Sequence, residues 1–322
     1  MAYDPSVAET VSNSVKRAIA ENDEIKKARK RTHRWRILAV VLAVVIILGV
    51  VAELGGPSGP RIAYLSVEGL IVEDPDRDQI LRDIADDDDV AALIVAIASP
   101  GGTASGSEDL YNSLRTVAAK KPVVASMGTV AASGGYITAI GADYIFARKN
   151  SLTASIGVIF QVTRFGDLMK EIGVEVDSYT SGPLKAEPSP FAPASPEAKE
   201  LMDGLVAESY HWFKALVGER RGLDGDALDA VADGRVMMGT QALEAGLVDA
   251  IGNEYDAIAW LEDTQGISND LPVEDVTPSV EPSGLFARAT AQIAAYAGIK
   301  PLETKRLFVD GLATLWHPSL SD

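Results

Sequence analysis

The sequence contains no cysteine and only three histidines in 322 residues. Without cysteine there is no thiolate nucleophile, no disulfide and no cysteine metal site. The histidines are scattered. His33 lies in a basic segment, His317 lies near the C-terminus, and His211 sits beside Trp212 and Phe213 in a helical pattern that suits packing or surface exposure. None is close in sequence to a candidate nucleophile. There is no internal repeat and no ligand spacing that suits a metal, so neither a metal nor a cofactor is expected. Positive charge is scarce: 29 Lys and Arg face 46 Asp and Glu, a net charge of -17. Residues 1–36 hold nine of those cations against five acids, a net of +4, which leaves -21 for the rest. So acidic a body argues against a nucleic-acid partner.

The basic N-terminal arm has another explanation. Ile37 to Leu54 reads ILAVVLAVVIILGVVAEL, uncharged until Glu53 and long enough to span a bilayer. The Lys/Arg cluster directly precedes it, and the positive-inside rule puts residues 1–36 in the cytoplasm and the body outside. The charged region is long for a cleaved signal peptide, and no small-x-small site follows the span. A stretch this apolar with a one-sided basic flank also does not read as an internal core helix. The expectation is one uncleaved signal anchor over 37–54, followed by a Gly/Pro-rich linker at 55–60.

From residue 61 strands alternate with helices, the pattern of an α/β layered domain. Strand-like runs cover 62–71, 90–98, 123–127, 144–147 and 155–160. Helical patterns cover about 105–119, a start near 133, 197–221, 242–245 and a start at 254. The run Asp86-Asp87-Asp88-Asp89 reads as a solvated turn, with a weak Ca²⁺ site as the alternative. Pro183, Pro188, Pro190, Pro193 and Pro196 exclude regular structure across that stretch. Residues 271–284 read as a linker and 285–299 as an amphipathic helix, while 300–322 has no clear pattern. The domain is expected at 61–265 and a tail at 266–322.

Three places could carry chemistry. Ala131-Ala132-Ser133-Gly134-Gly135 puts one hydroxyl among residues with almost no side chain, after a buried strand. That leaves room for a carbonyl beside Oγ and for backbone N–H groups to reach it. The same stretch also suits a plain small-residue contact between helix and sheet. Ser99-Pro100-Gly101-Gly102 follows another buried strand and suits either an exposed backbone N–H or an ordinary turn. Lys185, in Ser181-Gly182-Pro183-Leu184-Lys185-Ala186, is flanked by apolar and turn residues. It suits either a solvated charge or the neutral base of a Ser–Lys dyad.

These pieces occur in one order: SPGG at 99–102, SMGTVAASGGY at 126–136, TASIGVI at 153–159, a lysine soon after an SG turn, and DGRVMMGTQALEAGLVDAIG at 233–252. Over about 61–265 that order resembles the signal peptide peptidase A family of bacterial membrane serine proteases. The resemblance implies a ClpP/crotonase-like fold, a layered superhelix of ββα units. It implies Ser133 as nucleophile, Lys185 as general base, Ser155 as the hydroxyl that orients the lysine, and backbone N–H groups of Gly102 and Gly134 as the oxyanion hole. It further implies remnant signal peptides and other short or unfolded peptides as substrates. It also implies anchorage in the bacterial inner membrane and, for this single-copy form, a ring- or dome-shaped homo-oligomer of about eight subunits. Two positions depart from the pattern. Ala98 stands where relatives often carry a polar residue, and Ala186 follows the lysine where they often carry an acid.

Three rivals remain at this stage. An acyl-CoA hydratase of the crotonase type would need a carboxylate pair and no anchor. A tethered scaffold with an inactive protease domain would leave Ser133 unreactive. A related Ser–Lys protease of the stomatin-partner or phage-capsid type would use the same dyad on other substrates.

Overall fold

The computed structural model describes residues 33–41, 43–44, 59–278 and 313–315. The chain divides into a unit of residues 1–59 and a unit of residues 60–322. In the first, α1 covers 33–41, with 43 and 44 also helical, and these residues are exposed. The expected span at 37–54 lies largely outside the described residues. Among those described, no helix is long and apolar enough to cross a membrane. The helix expected at 285–299 also lies outside them.

The second unit is built on three parallel strands, β1 (Arg61–Ile71), β2 (Val90–Thr103) and β3 (Val123–Ala132). The run VAALIVAI is apolar at every position because β2 is covered on both faces. Leu93, Val95 and Ile97 point into one core with Leu110 and Leu114 of α3 (Ala104–Ala118) and Phe213 of α6 (Pro196–Arg221). Ala92 and Ile94 point into a second core with Ala257 and Leu261 of α9 (Glu254–Gln265). Helices therefore cover both faces of the sheet, a mixed α/β layered architecture. Helix α2 (Pro75–Asp86) connects β1 to β2, with the Asp74 side chain capping it through the N–H of Arg77. The shorter helices α5 (Gly166–Glu171), α7 (Gly225–Val231) and α8 (Gly239–Glu244) lie in later connections. Phe213 is fully buried in the larger core. Phe213→Ala is expected to cost about 3–5 kcal/mol, read as a lower urea midpoint.

The sheet changes partners halfway along β3. Residues 124–127 pair with β4 (Tyr144–Ala147), whereas 130–132 pair with β5 (Leu152–Ala154). The β2–β3 register also slips between Ile97 and Ser99, and the β1–β2 register slips between Glu68 and Leu70. Such slips, where a bulge bends and twists a sheet locally, fall toward the C-terminal ends of these strands. β6 (Val236–Met238) pairs antiparallel with β5, and β7 (Ala250–Ile251) pairs with β4.

Four local expectations need correction. The SPGG stretch is not a turn: β2 runs through it to Thr103, because Leu70 and Ile71 of β1 pair with Gly101 and Gly102. The strand expected at 155–160 lies at 152–154 instead, since left-handed backbone at Ala154 (φ 61°) and Ser155 (φ 53°) ends it. The linker expected at 271–284 contains β8 (Val273–Asp275), parallel to β1. Residues 313–315, in a stretch with no sequence pattern, form β9, antiparallel to the end of β2.

Candidate active site

The chain leaves β3 through Ser133, which has φ 54° and ψ -114°. An L residue holds such a conformation only where its surroundings impose it, at a cost of about 1–3 kcal/mol. The Ser133 N–H donates to the Ala154 carbonyl (2.8 Å), and its carbonyl accepts from the N–H groups of Tyr136 (2.9 Å) and Ile137 (3.0 Å). The residue is 1% exposed, and its Oγ has no hydrogen-bond partner. A buried hydroxyl without a partner is costly to keep, and it stands where β3 ends and the following helix begins. The non-glycine residues with positive φ among those described are Ser133, Ala154, Ser155 and Ala186. Each is a sequence-expected site residue or the immediate neighbour of one.

The helix that follows, α4 (Gly134–Ala139), has six residues, too few to be stable by itself. Its surroundings hold it. The Tyr136 hydroxyl donates to the Leu247 carbonyl (2.8 Å), and burial pushes this phenol upward, so it stays a donor. Arg220 of α6 donates to the carbonyls of Ile140 (2.8 Å) and Ala142 (2.9 Å), at the helix's C-terminal end. Gly135 lets the helix lie against β2, because a Cβ there would meet the Ser99 carbonyl oxygen at 2.7 Å. Gly134 opens the helix, so its N–H lies in the first turn, where there is no carbonyl four residues earlier to accept it.

Gly102 lies near that turn, because Ser99 of β2 pairs with Ala131 of β3 and both strands end within a few residues. A Cβ on Gly102 would stand 1.7 Å from the Ile71 carbonyl oxygen, so only glycine fits. The Gly101 N–H is used by Ser99 Oγ (3.0 Å). Ser155 is 8% exposed and joins from the end of β5, its N–H donating to the Arg235 carbonyl (2.9 Å). Beside it a cavity of about 560 Å³ is lined by Ile156, Val158, Val206 and Tyr210, with the carboxylates of Asp203 and Asp233 also on its wall.

Asp233 and Arg235 hold the turn that supports Ser155. The Arg235 Nε lies 2.8 Å from both carboxylate oxygens of Asp233, and the Arg235 N–H donates to Asp233 Oδ1 (3.1 Å). The guanidinium first, and then the backbone N–H, lower the Asp233 carboxyl from 3.8 to about 2. A lowered carboxyl contributes stability that is present above pH 3.8 and lost as the pH falls through about 2. Asp233→Asn is expected to destabilise the chain at pH 5 and to converge with wild type near pH 2, read from urea midpoints at each pH.

Lys185 is placed differently. It is exposed, its N–H donates to the Gly182 carbonyl (3.1 Å), and Ala186 after it has φ 69°. The structure gathers Ser133, Gly134, Ser155 and Gly102 at the bent end of the sheet. It does not bring Lys185 into a hydrogen bond with Ser133. Sequence reasoning missed the supporting roles of Asp233, Arg220 and Gly135. Asp233 and Gly135 lay within quoted motifs, at 233–252 and 126–136, whereas Arg220 carried no sequence signal.

A model of peptidase family S49 matches residues 115–268. A protein from Methanocaldococcus jannaschii, provisionally named a protease, is 37% identical over 61% of this chain and 63% of its own length. A Synechocystis protein, also provisionally named a protease, is 35% identical over 68% of this chain and 81% of its own length. A protein of Enterococcus faecium, provisionally named the signal peptide peptidase SppA, is 32% identical over 68% of each chain. The chain thus spans a little under two thirds of the first of these relatives and more of the other two. Two solved structures, both of point mutants, are similar at 15% identity. A ClpP1 mutant from Listeria monocytogenes has a TM-score of 0.41 over 60% of this chain and 92% of its own. A mutant of the 1510-N membrane-bound stomatin-specific protease has a TM-score of 0.43 over 69% and 100%. The sequence relatives decide the matter: this chain belongs to peptidase family S49, the signal peptide peptidase A family of serine peptidases.

Proposed function

We propose that the chain is a membrane-anchored endopeptidase that hydrolyses short or unfolded peptides, remnant signal peptides among them, with a Ser133–Lys185 dyad. The observation that carries this reading is the strained turn at Ser133, with its buried, unpartnered Oγ beside the first N–H groups of α4. In this mechanism neutral Lys185 takes the Oγ proton, and the oxygen attacks a peptide carbonyl. The N–H groups of Gly102 and Gly134 stabilise the oxyanion. Lys185 then protonates the leaving amine, and water hydrolyses the acyl-serine. Ser155 holds the lysine in place. The aliphatic part of the cavity beside Ser155, formed by Ile156, Val158, Ile159 and Val206, supports a preference for apolar side chains next to the scissile bond. The bent parallel strands support a ClpP/crotonase-like arrangement of ββα units. The apolar segment 37–54 supports a signal anchor in the bacterial inner membrane, which protease treatment of intact spheroplasts tests: the body is removed and residues 1–36 are spared.

A general base must come within hydrogen-bond reach of the proton it takes. In the single chain Lys185 is exposed and Ser133 Oγ has no partner. Exposed apolar residues accompany the lysine along the same segment, including Leu168, Ile172, Val176 and Leu184. We therefore assign Lys185 to the Ser133 of a neighbouring subunit in a ring-shaped homo-oligomer. Co-assembled Ser133→Ala and Lys185→Ala chains are expected to recover about a quarter of wild-type turnover, the random share of sites that receive both groups. No recovery places the base in its own chain. A second reading, a tethered scaffold with an inactive domain, also accommodates the unpartnered Oγ. Labelling by a fluorophosphonate that disappears in Ser133→Ala rejects it.

A further inference from the structure

Two connections meet where β1 and β2 end. Ile71 closes β1 opposite Gly102, and residues 72–74 lead from it into α2. Gly102 is followed by Thr103, the last residue of β2 and the N-cap of α3. The two connections touch backbone to backbone. A Cβ on Gly106, in the first turn of α3, would meet the Val72 carbonyl carbon at 2.6 Å and the Glu73 nitrogen at 2.8 Å. One side chain ties them together. Glu73 Oε1 accepts hydrogen bonds from Ser105 Oγ and from Thr103 Oγ1 (3.4 Å). The Thr103 hydroxyl also accepts from the Gly106 N–H (3.0 Å), so it caps α3 and donates to Glu73 at once. The hydrogen bond from Ser105 leads the influences that hold the Glu73 carboxyl below its ordinary value, which keeps it an ionised acceptor at neutral pH. Glu73 is exposed, and hydrogen bonds at such a place add little to overall stability. Their effect is local, on the residue that precedes Thr103.

We propose that Glu73 is a positioning residue for the oxyanion donor: it ties Thr103 and Ser105 to the end of β1 and so fixes the direction of the Gly102 N–H. The inference rests on the assignment of Gly102 and Ser133 made above. An oxyanion donor is effective only when it is aligned before the charge develops, because a hydrogen bond weakens steeply as its angle closes. Gly102 has no side chain to hold its peptide plane. The ladder to Ile71 holds it from one side, and the Glu73 link to Thr103 and Ser105 holds the residues that follow it.

The test compares wild type with Glu73→Ala and Glu73→Gln. Glutamine keeps an oxygen acceptor for the two hydroxyls, and alanine keeps none. Glu73→Ala is expected to lower kcat about tenfold, a part of the 10²–10³ that loss of a whole donor costs, with KM held within about twofold. Glu73→Gln is expected to recover kcat to within about threefold of wild type. A peptide boronate, whose tetrahedral adduct on Ser133 places an oxygen where the oxyanion forms, is expected to bind Glu73→Ala about tenfold more weakly. The parent peptide is expected to bind the Ser133→Ala chain equally well with and without Glu73→Ala. A merely structural role would lower the urea midpoint without this split. Wild-type kcat in Glu73→Ala, or equal losses in the alanine and glutamine variants, overturns the inference. Hydrogen exchange at residues 101–103, in a Ser133→Ala background, is expected to be faster with Glu73→Ala than with Glu73→Gln, and equal exchange also overturns it. Exchange needs no turnover, so a wild-type chain that fails to cleave or to label at Ser133 counts against the dyad, while exchange still decides whether Glu73 holds Gly102.

Discussion

Replacing Ser133 with alanine is expected to reduce peptide hydrolysis by at least about 10³-fold, and Lys185→Ala should do the same without adding to it. The first loss follows from the geometry. Ser133 provides a buried hydroxyl without a partner at a turn where φ is 54° and the helix α4 begins. The second follows from the scarcity of alternatives, with no cysteine in the sequence and His211 lying against the Tyr210 ring. Non-additivity is the sharper criterion. A nucleophile and its base act in one step, so the double variant should be no slower than the worse single variant. Turnover on a peptide ester, with unchanged urea midpoints, separates chemistry from folding. Near-wild-type turnover by Lys185→Ala would show that another group takes the proton.

Gly102→Ala is expected to be the most damaging change outside the dyad. Its Cβ would fall 1.7 Å from the Ile71 carbonyl oxygen, and that oxygen belongs to a strand paired with β2. Backbone on both sides leaves nothing that can yield cheaply, so β1 and β2 must separate where the candidate oxyanion donor sits. Loss of one such donor costs about 10²–10³ in kcat. Displacement of the strand should bring the effect to at least that size, accompanied by a lower urea midpoint. The two contributions can be separated. A Gly102→Ala chain that is fully folded by circular dichroism and still lacks turnover locates the defect in the oxyanion donor. One that retains turnover within about tenfold would remove Gly102 from the mechanism.

Much of the body was legible in the sequence because its elements carry local signals. VAALIVAI has no polar position, which a strand covered on both faces requires, and it became β2. The segment after Ser195 has a capping serine, an N-terminal proline and a final glycine at 222, and it became α6. Ser133 and Gly102 stood out for the same reason: a lone hydroxyl among small residues and a glycine pair after a strand are local patterns. What escaped depended on contacts between segments distant in sequence. SPGG looked like a turn because its glycines favour one, but β1 pairs with it. Ser155–Phe160 looked like a strand, but the strand lies at Leu152–Ala154, where hydrogen bonds from Ser133 and to Arg235 accompany positive φ at Ala154 and Ser155 and end it. Residues 313–315 had no pattern because a strand added to an edge is held by backbone hydrogen bonds, which any sequence offers. The sequence by itself determined the family to which the chain belongs, and its lone serine among small residues and its glycine pair nominated the groups proposed for the chemistry. Only the tertiary structure decided that the serine turn is strained, that Gly102 admits no side chain, and that Lys185 lies exposed without a hydrogen bond to Ser133, because each of these depends on where segments distant along the chain meet.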